Sequence, residues 1–243
     1  MSTLRGAVLG FPIEHSLSPL MHRTAFSYLG IEGTYLAHPV HEGQLATFFS
    51  ENRNSHDYFS LTMPLKEEAL TLNVDIDPFV QSIESANTLY RQNGQWHLTG
   101  TDSIGIVHAL RHSGFTTFEH VLILGAGGTA RAAVGALNPI SKKISILGRT
   151  STRREVLEKA TTHAEFDYIR WSDSIDFSQY DLVLNTTPAG AADLLANSIS
   201  STMHIPLFDV IYKPWPTVLA SRWKDSGGVV INGLELLIYQ GIH

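Results

Sequence analysis

The stretch from Gly125 to Ala130 has the residue types and spacing of a turn that binds the phosphates of a dinucleotide. An apolar run of strand length, 121–124, precedes it, and small or helix-favouring residues follow it to about Leu137. In the pattern G-x-G-x-x-G/A, the glycines permit a tight turn and close approach of a pyrophosphate, and the small third residue lets helix and strand pack closely. The N–H groups that open the helix then face the phosphates. The stretch therefore predicts a cofactor site made of Gly125, Ala126, Gly127, Gly128, Thr129 and Ala130.

The end of the next strand, 143–147, indicates which dinucleotide binds. An NAD site usually places an acid there for the ribose 2′-hydroxyl, whereas an NADP site places arginine there for the 2′-phosphate. After Gly148 the chain carries three arginines and no acid before Glu155. We therefore predict NADP, bound by Arg149, Thr150, Arg153 and Arg154. The alternative for Arg153 and Arg154 is an exposed helix face that binds no cofactor.

Composition is that of an ordinary globular protein. The chain has 243 residues, of which 43% are apolar, enough for one large or two modest domains. Seventeen basic and 23 acidic residues give a net charge of −6, and we predict neither nucleic acid nor membrane as a partner. No stretch reaches the roughly 18 apolar residues of a membrane span. A cytoplasmic location is therefore expected.

Metal binding is not predicted. The chain has no cysteine, which excludes a disulfide or a thiolate metal site. Among its 12 histidines, His38 and His41 lie three residues apart. They fall in an extended segment, where residues three apart point to opposite faces.

The order of the elements predicts two α/β units, one before Asp102 and one after it. In the first unit, strands near 6–10, 34–37 and 58–62 alternate with helices, and Asn93-Gly94 marks a hairpin. In the second unit, the glycine turn is followed by strands near 166–171, 181–185, 207–212 and 229–231. Thr187 lies in the polar turn after strand 181–185, where a doubly wound sheet binds its ligand.

Four polar residues near predicted helix starts are candidates for a second site. Ser18 is a predicted N-cap with Pro19 as the first helical residue, and Ser16 has no capping duty. Together, the two hydroxyls would suit an anionic group such as a carboxylate. Lys66 falls in a first helical turn, where the dipole disfavours a cation. The plainer alternatives are a solvated surface lysine and, for Asp102, a helix cap.

Six separated stretches together resemble one family. They are G-F-P-I-E-H-S-L-S-P at 10–19, T-M-P-L-K at 62–66, A-N-T at 86–88, G-T-D-S-I-G at 100–105, the glycine turn at 125–130, and 232–240, which begins N-G and ends in Gln240. In this order they resemble the shikimate dehydrogenase family, over about residues 6–240.

The resemblance implies a role for each candidate. Lys66 and Asp102 would be the catalytic pair, and Gly233 would contact the cofactor. The substrate carboxylate would be held by Ser16 and Ser18. The ring hydroxyls would be bound by Thr62, Asn87 and Gln240, with Tyr212 lining the same cleft.

The resemblance also implies the architecture and the reaction. Residues 1–102, completed by 232–243, would form the substrate domain, and 103–231 a Rossmann-type doubly wound NADP-binding domain, with a cleft between them. The expected reaction is the reversible reduction of 3-dehydroshikimate to shikimate by NADPH, a step of aromatic amino acid biosynthesis. The enzyme would act as a monomer or homodimer. The alternatives are a quinate/shikimate dehydrogenase and a catalytically idle NADP-binding sensor of the same fold.

The sequence departs from the family's pattern at three positions. Ser60, Gly100 and Gly148 stand where asparagine is usual. Because each change removes an amide, we expect a weaker grip on substrate and cofactor. Family members usually continue past the last helix, so a chain that ends at His243 is also expected to have reduced activity.

Overall fold

The computed structural model describes residues 3–172, 174–199 and 202–242. They form two compact units, one of the described residues up to Thr101 and one from Asp102 to Ile242. Each unit has its own sheet with helices on it, so the predicted pair of α/β units is confirmed. The assignment of substrate and NADP roles to these units stays a prediction.

The first unit is built on a mixed sheet. Its strands are β1 (Leu4–Gly10), β2 (Gly33–Pro39), β3 (Tyr58–Leu61), β4 (Asp75–Ile76), β5 (Thr88–Gln92) and β6 (Gln95–Thr99), in the spatial order β2-β1-β3-β5-β6-β4. Its helices are α1 (Ser18–Leu29), α2 (Leu45–Asn52), α3 (Leu65–Glu68) and α4 (Pro78–Ile83). β1 runs parallel to β2 and β3, whereas β5 is antiparallel to β3 and β6.

The hairpin of β5 and β6 forms as predicted. Asn93 and Gly94 both have positive φ, 52° and 80°, as a type I′ turn requires. On the buried face of this hairpin, Trp96 stacks on Phe59 of β3 with ring centroids 5.5 Å apart. Phe49 of α2 meets the same tryptophan edge-on at 5.0 Å. These rings join the hairpin and α2 to the sheet in one core.

The second unit is a parallel, doubly wound sheet. Its strands are β7 (Phe118–Leu124), β8 (Ser141–Gly148), β9 (Glu165–Arg170), β10 (Leu182–Asn185), β11 (Leu207–Asp209) and β12 (Val230–Ile231), in the order β12-β11-β10-β7-β8-β9. Its helices are α5 (Asp102–His112), α6 (Gly128–Leu137), α7 (Arg154–Ala160), α8 (Val218–Asp225) and α9 (Gly233–Gly241). This strand order is that of the Rossmann fold, as predicted.

The last helix belongs to the second unit. α9 packs against α5. At the contact, a Cβ on Gly105 would lie 3.0 Å from the backbone nitrogen of Gln240, so a bulkier residue would push the helices apart. The family resemblance implies that 232–243 completes the substrate domain, and the compact unit that contains 232–242 is the second one. His243 lies outside the described residues.

The predicted start of α1 is wrong by one residue. Ser18 is the first residue of α1 and not its N-cap, which is Leu17. The Ser16 hydroxyl accepts a hydrogen bond from the Ser18 N–H at 3.3 Å, so Ser16 does have a duty at this helix start. Asp102 is itself the first residue of α5.

A buried carboxylate joins the ends of β10 and β11. Asp209 is fully buried. Its Oδ1 accepts from the Asn185 amide and the Ile211 N–H, both at 3.1 Å, and its Oδ2 accepts from the Thr217 hydroxyl at 2.7 Å. Asn185 in turn accepts from the N–H and the hydroxyl of Thr187, at 3.1 and 2.7 Å. This network fixes both loops that follow these strands.

Burial raises the pKa of the Asp209 carboxyl, and the hydrogen bonds from Thr217, Ile211 and Asn185 offset only part of that rise. A folded-state pKa above the unfolded value means that folding takes up a proton between the two values. The contribution of Asp209 to stability is therefore complete below its ordinary pKa of about 4 and is lost as the pH rises through the folded value.

We predict that Asp209→Asn lowers the free energy of unfolding by about 1–3 kcal/mol, because the new amide points N–H groups at donors. Urea denaturation near pH 5 measures the loss, with the exposed Asp225→Asn as a control that changes stability by less than about 0.5 kcal/mol. The loss in free energy of unfolding caused by Asp209→Asn should become smaller towards pH 8. A deficit that grows with pH would contradict the raised pKa.

Candidate active site

The glycine turn of the second unit, 125–130, lacks side chains at three positions, so a ligand can approach its backbone closely. Gly125 has φ of +102°, and a Cβ there would lie 2.8 Å from the Thr186 hydroxyl oxygen. Gly127 is extended and immediately precedes α6. A Cβ at Gly127 would meet only an Arg153 nitrogen, at 3.4 Å. Ala130 is fully buried, which lets α6 pack closely on the sheet. The turn and the open helix start therefore fit the pyrophosphate of a dinucleotide.

The three candidate arginines have different surroundings. Arg149 is exposed directly after β8. An Arg153 guanidinium nitrogen donates to the Ala126 carbonyl at 3.3 Å, which places this side chain beside the glycine turn. Arg154 Nε lies 3.5 Å from a Glu158 oxygen on the exposed face of α7, as in the solvated-face alternative. The cofactor roles of all three stay predictions.

Other candidates of the second unit gather at the ends of β10, β11 and β12. The Asn185 side chain holds Thr187, which is buried. A Cβ on Gly233 would overlap the Val210 carbonyl, so only glycine permits α9 to start there. Tyr212 is half-buried in the loop after β11. The carboxyl ends of parallel strands are where such sheets bind ligands.

In the first unit, the loops after β1 and β3 run side by side. The Thr62 N–H donates to the Leu9 carbonyl, and the Phe11 N–H donates to the Met63 carbonyl, both at 2.9 Å. A Cβ on Gly10 would lie 2.8 Å from that same Met63 oxygen, so the close approach needs glycine. The structure therefore brings the loop that leads to Ser16 and Ser18 next to Thr62.

Short hydrogen bonds join the segment that carries Asn87 to the segments that carry Lys66 and Thr101. The Lys66 carbonyl accepts from the Ala86 N–H at 2.9 Å. The Asn87 side chain, which is buried, accepts from the Thr101 N–H at 2.7 Å and donates to the Thr101 hydroxyl at 3.1 Å. Thr101 directly precedes Asp102, a residue that is buried. Asn87 therefore also holds the loop that delivers Asp102.

Glu68 positions the helix that carries Lys66, a role that sequence reasoning missed. Its two carboxylate oxygens accept from the Gly43 and Leu45 N–H groups, both at 2.9 Å, at the start of α2. The contact joins residues more than twenty apart, so local spacing gives no signal for it.

Neighbouring side chains occupy the space at two of the departures from the family's pattern. The Ser60 hydroxyl accepts from the Tyr35 hydroxyl at 2.7 Å. At Gly100, a Cβ would lie 2.8 Å from a methyl carbon of Val80. An asparagine at Gly100 would require Val80 to move.

The described residues contain no group of three or more histidine or acidic side chains arranged to hold a metal ion. Within the same residues, no helix is both long and apolar enough to cross a membrane.

Comparison with known proteins agrees with this geometry. A family model described as the shikimate dehydrogenase substrate binding domain matches residues 8–89. Proteins named shikimate dehydrogenase (NADP(+)) from Staphylococcus aureus and Nostoc sp. are 33% and 32% identical, covering 98% and 97% of this chain and 90% and 87% of theirs. Shikimate 5-dehydrogenase from Thermus thermophilus, solved in complex with NADP(H) and shikimate, superposes with a TM-score of 0.85 at 31% identity, covering 98% of this chain and 90% of that one. This chain belongs to the shikimate dehydrogenase family.

Proposed function

We propose that this chain is an NADP-dependent shikimate dehydrogenase, which reversibly reduces 3-dehydroshikimate to shikimate in aromatic amino acid biosynthesis. The observation that carries the proposal is the near full-length similarity to relatives named for this activity and this cofactor. The bare glycine turn with Arg153 beside it supports the cofactor. We further propose a cytoplasmic enzyme that acts as a monomer or homodimer on this small-molecule substrate.

Lys66 and Asp102 are proposed as the catalytic pair. Bound NADPH supplies the hydride that reduces the substrate ketone. Hydride addition leaves negative charge on the ketone oxygen, and a positioned proton donor lowers the barrier by neutralising it. The Lys66 ammonium is the donor in this proposal. Asp102, as a carboxylate, orients the ammonium and accepts a hydrogen bond from a substrate hydroxyl.

The substrate is proposed to bind through hydroxyl and amide groups. Ser16 accepts a hydrogen bond from the Ser18 N–H through its oxygen, so its own O–H proton can be donated to a carboxylate. The Ser18 hydroxyl is assigned to the same carboxylate. The ring hydroxyls are assigned to Thr62, Asn87 and Gln240, with Tyr212 lining the same substrate site.

The cofactor is proposed to bind the second unit. The turn 125–130 takes the pyrophosphate, while Arg149, Thr150, Arg153 and Arg154 surround the 2′-phosphate. Thr187 and Gly233 are assigned to the nicotinamide end, because they follow the carboxyl ends of the parallel strands β10 and β12. In this assignment, 103–231 is the NADP domain and 1–102 is the substrate domain. The segment 232–243 is proposed to complete the substrate domain in function, although α9 packs against α5 of the second unit.

We predict that Lys66→Ala lowers kcat for NADPH oxidation with 3-dehydroshikimate by about 100-fold or more, because the proton donor is lost. The KM for NADPH should stay close to that of the wild type. Absorbance of NADPH measures both. The control is Lys142→Ala, whose ammonium pairs with Glu119 on the surface, 75% exposed.

Turnover of Lys66→Ala near the wild-type rate would refute the assigned role. Asp102→Asn should lose less than Lys66→Ala if Asp102 chiefly positions groups. A wild type that binds NADPH but turns over neither 3-dehydroshikimate nor a quinate-derived ketone would point instead to a catalytically idle sensor.

We predict that Arg149→Ala raises the KM for NADPH about tenfold or more, because a charge-assisted bond to the 2′-phosphate is lost. The KM for NADH, which lacks that phosphate, should not change. Steady-state rates with each cofactor test this, with the exposed Arg222→Ala of α8 as the control. Equal effects on both cofactors would place Arg149 away from the 2′-phosphate.

A further inference from the structure

At the carboxyl end of β8, a tyrosine side chain from the neighbouring strand β9 occupies the space beside Gly148. In the parallel register of β8 and β9, Ile146 pairs with Tyr168 and Gly148 pairs with Arg170. The Tyr168 side chain extends along the strand to Gly148, where a Cβ would overlap its hydroxyl oxygen. Gly148 does not have a left-handed backbone, so its conformation does not require glycine. It is glycine because the tyrosine occupies its side-chain space.

The tyrosine hydroxyl is used at this position. Tyr168 donates to the Thr150 carbonyl at 2.6 Å. Thr150 is the residue directly before the single helical turn Ser151–Arg153. Because a peptide bond is planar and trans, fixing the Thr150 carbonyl also fixes the direction of the Ser151 N–H. The hydrogen bond therefore sets the start of the turn that ends in Arg153.

The protonation state of the Tyr168 phenol allows it to donate a hydrogen bond. Burial raises the pKa of the Tyr168 phenol, and the nearby positive charge of Arg153 offsets part of that rise. The phenol is therefore protonated at neutral pH. A hydroxyl has one proton to donate, and here the Thr150 carbonyl takes it. Tyr168 is thus placed to hold the loop and not to donate to a phosphate.

We propose that Tyr168, accommodated by Gly148, is a positioning residue that sets the preference for NADPH over NADH. It does so by holding the loop 149–153, whose Arg153 reaches the glycine turn through the Ala126 carbonyl. The inference rests on the proposed function, since it takes this loop as the 2′-phosphate site.

The test is cofactor binding by Tyr168→Phe, which keeps the ring and removes the hydroxyl. Titration followed by the fluorescence of the reduced nicotinamide gives Kd for NADPH and NADH. We expect the NADPH Kd to rise about two- to tenfold, as for loss of one hydrogen bond, with the NADH Kd and the saturated kcat unchanged. The control is Tyr28→Phe, whose side chain is 88% exposed.

A second pair of variants tests whether a side chain at Gly148 and the Tyr168 phenol compete for the same space. Gly148→Ala should weaken NADPH binding as Tyr168→Phe does, because its methyl group displaces the phenol from Thr150. In a Tyr168→Val background the methyl meets no phenol, so adding Gly148→Ala should cause no further loss. Such non-additivity is expected of two residues in direct contact.

Four results would overturn the inference: equal weakening of NADPH and NADH, no change in either, additive losses in the double variant, or no NADPH binding by the wild type. Failure of the proposed function is distinguishable. A wild type that prefers NADPH in binding but does not reduce 3-dehydroshikimate would refute that function, while the variants would still decide the role of Tyr168.

Discussion

Close approach of backbone to backbone at the ends of parallel strands is the constraint on which both units depend. Gly10 lets the loop after β1 lie against the Met63 carbonyl, and Gly233 lets α9 begin against the Val210 carbonyl. Gly125 combines a positive φ with contact to Thr186. A side chain at any of these positions would separate loops that carry candidate site residues. Glycine is therefore required here for space as well as for turning the chain.

Buried polar side chains then hold the loops that glycine brings together. Asn87 binds the backbone and the hydroxyl of Thr101, just before Asp102. Asp209 has the same role in the second unit, where its hydrogen bonds connect the end of β11 to the end of β10 and to the start of α8. Because a buried polar group is costly without partners, each such network favours a single arrangement of its loops. Rigid loops of this kind are what positioned catalysis requires.

The positions that depart from the family's pattern show how packing compensates for a changed side chain. Ser60 accepts a hydrogen bond from Tyr35. Val80 occupies the space that a Cβ on Gly100 would need, and the Tyr168 phenol occupies that space at Gly148. In each case a neighbour occupies or uses the space that a larger residue would need. The expectation that these departures only remove interactions is therefore incomplete.

The Rossmann-type fold of the second unit was implied by the family resemblance, and its strand order appears only in the structure. Local sequence was enough to predict the two α/β units and the hairpin at Asn93-Gly94, because periodicity and turn residues act over a few neighbours. It also indicated NADP and the family, through motifs that are short and contiguous. It did not reveal the two-residue strand β4, the true start of α1 or the packing of α9 on α5. Glu68, Asp209 and Tyr168 were missed as positioning residues, since most of their hydrogen-bond partners lie far along the chain. Such contacts appear only in the folded chain, because they depend on which distant backbone groups the packing leaves within hydrogen-bond reach.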